Sequence, residues 1–260
     1  MAQALDQPDT EWPLATDDPR DWLGSTELLD LDDPKLRLKA RSLTQLCKNP
    51  REKALAVYGF VKRLELSKPI KVRYRTAREV IDAGGGDADD KATVLVALLR
   101  LAGVPARLRY VELRGEMLRG LVPNMSRAAR PLAEIWLGRW VRTDTYIFEA
   151  CYMAAARQRL KDRDWQWGYG IYVGGATLWN GADDAFLGGH PTERDPMVLR
   201  DLGPVSDPLE LMSLPAWKTD YRRVTRAAHW NMVAPLMGRV IRELRAEASF
   251  GAALSVRKTS

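Results

Sequence analysis

Apolar positions along the chain change spacing several times, and each change predicts a different element. "DPKLRLKARSLTQLC" and "NPREKALAVYGFVKRL" carry helical spacing, the second opened by Asn49 as a cap and Pro50 in its first turn. "SKPIKVRY" alternates and predicts a short strand, and "TAREVIDAG" predicts one or two helical turns closed by glycine. From Asp90 to Leu101 the apolar residues Val94, Leu95, Leu98 and Leu99 line one face of a helix. Gly103 and Pro105 end that helix, after which "ARLRYVEL" alternates outward arginines with apolar residues as a strand.

Further on, "PLAEIWL" and "RWVRTDTYI" flank Gly138 and predict a tight hairpin. "EACYMAAARQRLKDR" predicts an amphipathic helix, followed by the irregular aromatic and glycine-rich stretch "WQWGYGIYVGGATLWNGADDAFLGG". A last helix near "DYRRVTRAAHWNMVAPLMGRVIRELRAE" places Val233, Leu236, Met237, Val240, Ile241 and Leu244 on one face, with a kink expected at Pro235. No internal repeat is present. Residues 1 to 24 lack any period and read as a flexible arm, 25 to 150 as the core, 151 to 250 as an extension packed on it, and 251 to 260 as a flexible tail.

Composition narrows the class. A 260-residue chain with 46% hydrophobic and 28% charged residues has the makeup of a soluble globule, and no apolar run approaches the roughly 20 residues that span a bilayer. The acidic, Pro-rich N-terminus has no apolar signal core, so a cytoplasmic location without membrane association is expected. The only cysteines are Cys47 and Cys151 and the only histidines His190 and His229, all isolated, so neither a disulfide nor a metal site is expected, and no cofactor. A formal charge of +6 is dispersed along the chain; no basic-aromatic motif of a nucleic-acid reader appears.

The chemistry concentrates in "GGGDADDKATVLVALLRLAGVPARLRYVEL" followed by "RPLAEIWLGRWVRTDTY". These residues resemble the transglutaminase-like superfamily, which shares its fold with papain-type cysteine peptidases. The resemblance covers roughly residues 50 to 150. It implies an α+β, transglutaminase-like (papain-like) core in which a central helix packs on an antiparallel sheet, here with extra N- and C-terminal helices.

The family's machinery is a cysteine at the helix start, activated by the helix dipole, with a histidine and an aspartate on neighbouring strands. Its positions fall on Ala88, Arg130 and Asp144. Alanine has no nucleophilic atom, and a guanidinium with a pKa above about 12 cannot cycle a proton near neutrality. The resemblance therefore implies a degenerate member that cannot perform thiol-based acyl transfer. Arg130 is expected to pair with Asp144 beside Ala88, keeping a buried carboxylate compensated.

The candidate catalytic residues are Asp144, Arg130, Asp89 and Tyr146, with Asp89 a proton carrier if desolvated. Asp87, Asp89 and Asp90 also suit capping of the helix start. The candidate ligand-binding residues are Ala88, Asp87, Trp136, Trp140, Trp167, Tyr169 and Tyr172. At least one of Trp136, Trp140 and Tyr146 is expected to reach the cleft, and the aromatic segment either covers it or packs into the core. Cys151 and His229 sit where helix-face roles are the simpler account.

Three functions remain open. The first is a cleft that binds a small-molecule, peptide or acyl ligand, or that is repurposed for cyclase- or lyase-type chemistry in specialised metabolism. The second is a cysteine-dependent acyltransferase or amide hydrolase in an inactive Cys-to-Ala form. The third is a scaffold whose basic surface holds a protein partner.

Overall fold

The computed structural model describes residues 17–214 and 223–258; of the last helix, side chains are described only for 230–248. Asp18 caps a 3-10 turn over Pro19–Leu23, whose Trp22 is buried between Arg100 and Arg107. The stretch 17 to 24 is therefore packed rather than an arm, because an aromatic ring there covers two guanidinium groups; residues 1 to 16 lie outside the described residues.

Helices α1 (Pro34–Thr44), α2 (Pro50–Arg63) and α3 (Ala77–Asp82) follow, each opened by a side-chain cap from Asp33, Asn49 and Thr76. Between α2 and α3 lies the first departure from the pattern. "SKPIKVRY" forms no strand; only β1 (Glu65–Leu66) does, pairing in parallel with β2 (Gly85–Gly86). Ile70 and Val72 point to solvent, so the alternation that suggested a strand records lysines turned inward. Gly85 is required by this pairing, since a Cβ there would lie 2.2 Å from the Glu65 carbonyl oxygen.

Helix α4 (Ala88–Leu101) is the centre of the molecule. Every residue from Asp90 to Arg100 is buried, and α1, α2, α3 and the sheet surround it. A helix covered on all sides has no polar face to solvent, which forces its charged members to find partners inside. Lys91 is fully buried and donates to the carbonyl oxygens of Leu64 at 2.8 Å and Lys62 at 3.4 Å.

The sheet packed on α4 has the order β5-β4-β3-β8 and is antiparallel throughout, from β3 (Ala106–Arg114), β4 (Arg127–Trp136), β5 (Trp140–Thr143) and β8 (Val198–Val205). β8 was not evident from the sequence, because Arg200, Asp201, Gly203 and Pro204 interrupt its alternation; as an edge strand it tolerates them. Nor is Arg107 outward. It is buried under Trp22 and Trp140 and paired with Glu134 at 2.5 Å.

Helix α5 (Ala150–Asp162) and the short hairpin β6 (Trp167–Gly168) and β7 (Ile171–Tyr172) follow β5, and α6 (Pro208–Ser213) follows β8. Helix α7 (Arg223–Lys258) packs on α5 and runs on through Pro235 and through positions 251 to 258. Its buried stripe is Ala234, Met237, Ile241 and Leu244, whereas Leu236, expected on that face, is exposed. The two cysteines are free, Cys151 being exposed on α5. No helix among the described residues is long and apolar enough to cross a membrane.

Burial pushes the Lys91 ammonium down to about 7, with Lys62 and Arg245 adding to the effect and Glu149 opposing it; burial likewise lowers Lys62 to about 8. An unfolded lysine keeps its proton to about pH 10.4. Between these values the unfolded chain binds more protons than the folded one, so stability rises with pH. Urea unfolding of the protein is expected to show an increase on the order of 4 kcal/mol from pH 7.5 to 9.5. Lys91→Met should remove about half of that rise, Lys62 supplying the rest; a profile equally steep in the variant counts against the assignment.

Candidate functional site

A cavity of about 310 Å³ opens at the N-terminus of α4. Ala88, the first residue of the helix, lies on its wall beside Asp87 and Asp89, with Arg130 on another side. The segment of residues 67–76, α6 and α7 form the outer wall through Lys68, Lys71, Tyr74, Met212, Trp230 and Asn231.

The helix start is built by reciprocal capping. Asp87 Oδ1 accepts from the Asp90 backbone N–H at 3.2 Å, and Asp90 Oδ2 accepts from the Asp87 N–H at 3.0 Å. Capping is thus what two of the three aspartates do. Both also hold cations: Lys68 meets Asp87 at 2.6 Å, Lys71 meets Asp87 and Asp90 at 2.7 Å each, and Arg75 meets Asp90 at 2.5 Å. Burial alone would raise the Asp87 carboxyl, but Lys68 and Lys71 outweigh it and hold it well below the usual carboxylate range.

Asp89 has a different environment. Its Oδ1 accepts from the Tyr110 hydroxyl at 2.8 Å, and burial together with the Asp87 charge pushes its carboxyl up. The same two causes raise Asp90. Lys71, flanked by these carboxylates, is raised despite its burial. Ionised Asp87 thus sits beside two carboxyls with increased proton affinity.

Arg130 and Asp144 meet as the sequence implied. Arg130 Nη1 donates to Asp144 Oδ2 at 3.1 Å and Nη2 to the Gly170 carbonyl at 2.6 Å. Asp144 Oδ1 accepts from the Leu187 N–H at 2.7 Å, and burial, larger than the effect of Arg130, pushes this carboxyl up. Asp144 does not line the cavity; it supports Arg130 from behind.

The aromatic candidates lie elsewhere. Trp136 and Trp140 pack edge to face near the hairpin turn, with Trp140 over Arg107. Trp167 and Tyr172 pack on each other, and Tyr169 is buried against Gly120 and α5. Tyr146 is fully buried, with its hydroxyl donating to the Pro131 carbonyl. None of these six lines the cavity, because hairpin geometry spent them on the far side of the sheet and on the core. The aromatics that do line it are Tyr74, Phe148 and Trp230. Neither cysteine nor His190 is among the lining residues, and the side chain of His229 lies outside the described ones.

Lys68, Lys71 and Arg75 were missed. A usable signal existed: the basic run "KPIKVRYR" ends a dozen residues before the acidic "DADD" that it neutralises. Among the described residues no group of three or more His, Cys, Asp or Glu could hold a metal ion.

The family model for the transglutaminase-like superfamily matches residues 37–145, from α1 through the end of β5. These residues form a transglutaminase-like core. Mixed helix and antiparallel sheet around α4 agree with that fold. Among solved structures, one named "putative cysteine protease" from Cytophaga hutchinsonii is similar at 21% identity over 49% of this chain, with a TM-score of 0.39. The match spans only 41% of that protein's length. No curated protein matches.

Removal of one member of the buried pair in the transglutaminase-like core leaves the other uncompensated. Arg130→Met is expected to destabilise by about 3 to 5 kcal/mol. Arg130→Met/Asp144→Asn, which keeps the acceptor for Leu187 without the charge, should recover at least half of that loss. Urea midpoints of the two variants decide; no recovery in the double variant rules out charge compensation as the pair's role.

Proposed function

We propose that this protein is a degenerate transglutaminase-like protein that has kept its cleft and lost its thiol chemistry, and that it binds a small ligand in the cavity beside Ala88. The observation that carries this reading is the open volume of about 310 Å³ at the start of α4, bounded by Ala88 and Arg130 where the resemblance implies cysteine and histidine. Ligand cavities begin at about 300 Å³ and combine apolar walls with a few polar groups, as this one does. A scaffold with no small ligand gains nothing from keeping such a volume empty, so the binding reading is preferred over the adaptor.

If the cavity also carries a reaction, Asp89 is the residue suited to moving a proton there. It lines the cavity, is oriented by Tyr110, and has a carboxyl pushed up by burial and by Asp87. Arg130, held by Asp144 and Gly170, suits a fixed electrostatic role. Cyclase- or lyase-type proton transfer is the class consistent with these two groups.

One observation favours the second reading, a cysteine enzyme in a Cys-to-Ala form: residue 88 occupies the first helical position, where the dipole would activate a thiol. Ala88→Cys tests it with iodoacetamide at pH 7. The expected alkylation rate at position 88 is within about threefold of that at exposed Cys151, since no base is at hand to draw off the thiol proton. A rate more than about tenfold faster establishes an activated thiol and replaces the proposal.

Binding itself is read with 8-anilinonaphthalene-1-sulfonate. Saturable fluorescence with one site per chain is expected, lost in Ala88→Phe at unchanged melting temperature. Equal fluorescence in that variant places the dye elsewhere and removes the support for the cavity.

A further inference from the structure

Four cationic side chains line the cavity, and they are not equivalent. Lys68 is held by Asp87 and lies over the Trp230 ring; Lys71 is shared between Asp87 and Asp90; Arg73 gives both terminal nitrogens to Glu79. Arg130 meets its carboxylate through one nitrogen and one oxygen, Nη1 to Oδ2, the other oxygen of Asp144 being engaged by the Leu187 N–H. A guanidinium has five N–H donors. Two of them serve Asp144 and Gly170, and what remains of Arg130's surface borders the cavity.

The charged side chains around the cavity are balanced in number. The cations Lys68, Lys71, Arg73, Arg75 and Arg130 face the carboxyls of Asp87, Asp89, Asp90, Asp144 and Glu79, five against five. Burial pushes Asp89, Asp90 and Asp144 up, a direction that favours an entering anion over an entering cation. Beyond Arg130 the walls are mainly aliphatic, with Leu113, Leu118, Leu121, Ala129, Ile147 and Met212 giving an elongated body no hydrogen-bond partner.

Resting on the reading that the cavity binds a small ligand, we infer that the ligand is an acyl-chain carboxylate, its head on the free N–H groups of Arg130 and its chain along the aliphatic wall. Arg130 is 8% exposed, so a carboxylate reaching it meets a charge little screened by water or salt. Planar bidentate pairing of guanidinium with carboxylate supplies head-group discrimination that an ammonium would not.

The test displaces 8-anilinonaphthalene-1-sulfonate from the full chain with dodecanoate and with dodecanol, which share a chain and differ in the head. Dodecanoate is expected to displace the dye at a concentration at least tenfold lower than dodecanol. Arg130→Gln should abolish that difference, and Ala129→Phe, which shortens the chain site, should weaken both by tenfold or more. Should Arg130→Gln fail to fold, the wild-type preference and Ala129→Phe decide. Equal displacement by alcohol and acid overturns the inference, as does an undiminished preference in folded Arg130→Gln. Dye binding that neither compound displaces overturns the acyl class while leaving the cavity reading intact, whereas the absence of dye binding sinks that reading as well.

Discussion

Asp87 places three interactions on two oxygens, and the site is assembled around them. Oδ1 takes the Asp90 N–H and the Lys71 ammonium, and Oδ2 takes Lys68. The carboxylate thereby caps the helix that centres the fold and pins down the segment of residues 67–76, which has no regular hydrogen bonding of its own. Lys71 passes the constraint onward, since its backbone N–H and C=O are both met by the Asn231 side chain on α7. Cap, segment and C-terminal helix thus form one chain of contacts, and the cavity is the space that chain encloses. Burying a carboxylate is costly, and two ammonium groups with a helix dipole are what make it tolerable.

The pair on the opposite wall obeys the same constraint. Asp144 is buried beyond reach of water, so whatever stands at position 130 has to offset its charge or leave it protonated. Arginine does so without titrating, and its second terminal nitrogen reaches the Gly170 carbonyl between β6 and β7. The aromatic, glycine-rich segment therefore supports the site from behind through its backbone, while its rings pack into the core. Asp144 reaches the same segment's continuation through the Leu187 N–H.

Much of this was legible in the sequence. The apolar spacing from Val94 to Leu99, the glycines before Asp87, and the hairpin about Gly138 follow from local rules that burial reinforces, and so α4 and β3 to β5 appear where expected. The Arg130–Asp144 pair was legible because the family resemblance put the two positions side by side, where charge compensation then called for an ion pair. Illegible parts depend on partners distant in sequence. β8 exists because β3 offers it an edge, and its own pattern is broken. Lys68 and Lys71 face inward because Asp87 waits there, which inverts the usual reading of alternating lysine and apolar residues. Trp136 and Trp140 mark a cavity no better than a core, since ring size alone does not tell which buried face a strand presents.

Electrostatics at the start of α4 also bears on what a reacting group there could do. A helix N-terminus favours negative charge, which is why a thiol in that position ionises readily. Here Asp87 already occupies that field, and Asp89 and Asp90 sit within the same turn. Burial first, and then the charge of ionised Asp87, push both neighbours toward keeping protons. A nucleophile added at position 88 would meet the same repulsion, relieved only by Lys68, Lys71 and the more distant guanidinium groups. The surroundings of Ala88 thus favour carboxyls that hold and release protons over an atom that must lose one and stay anionic, and that preference is set by the cap of the helix itself.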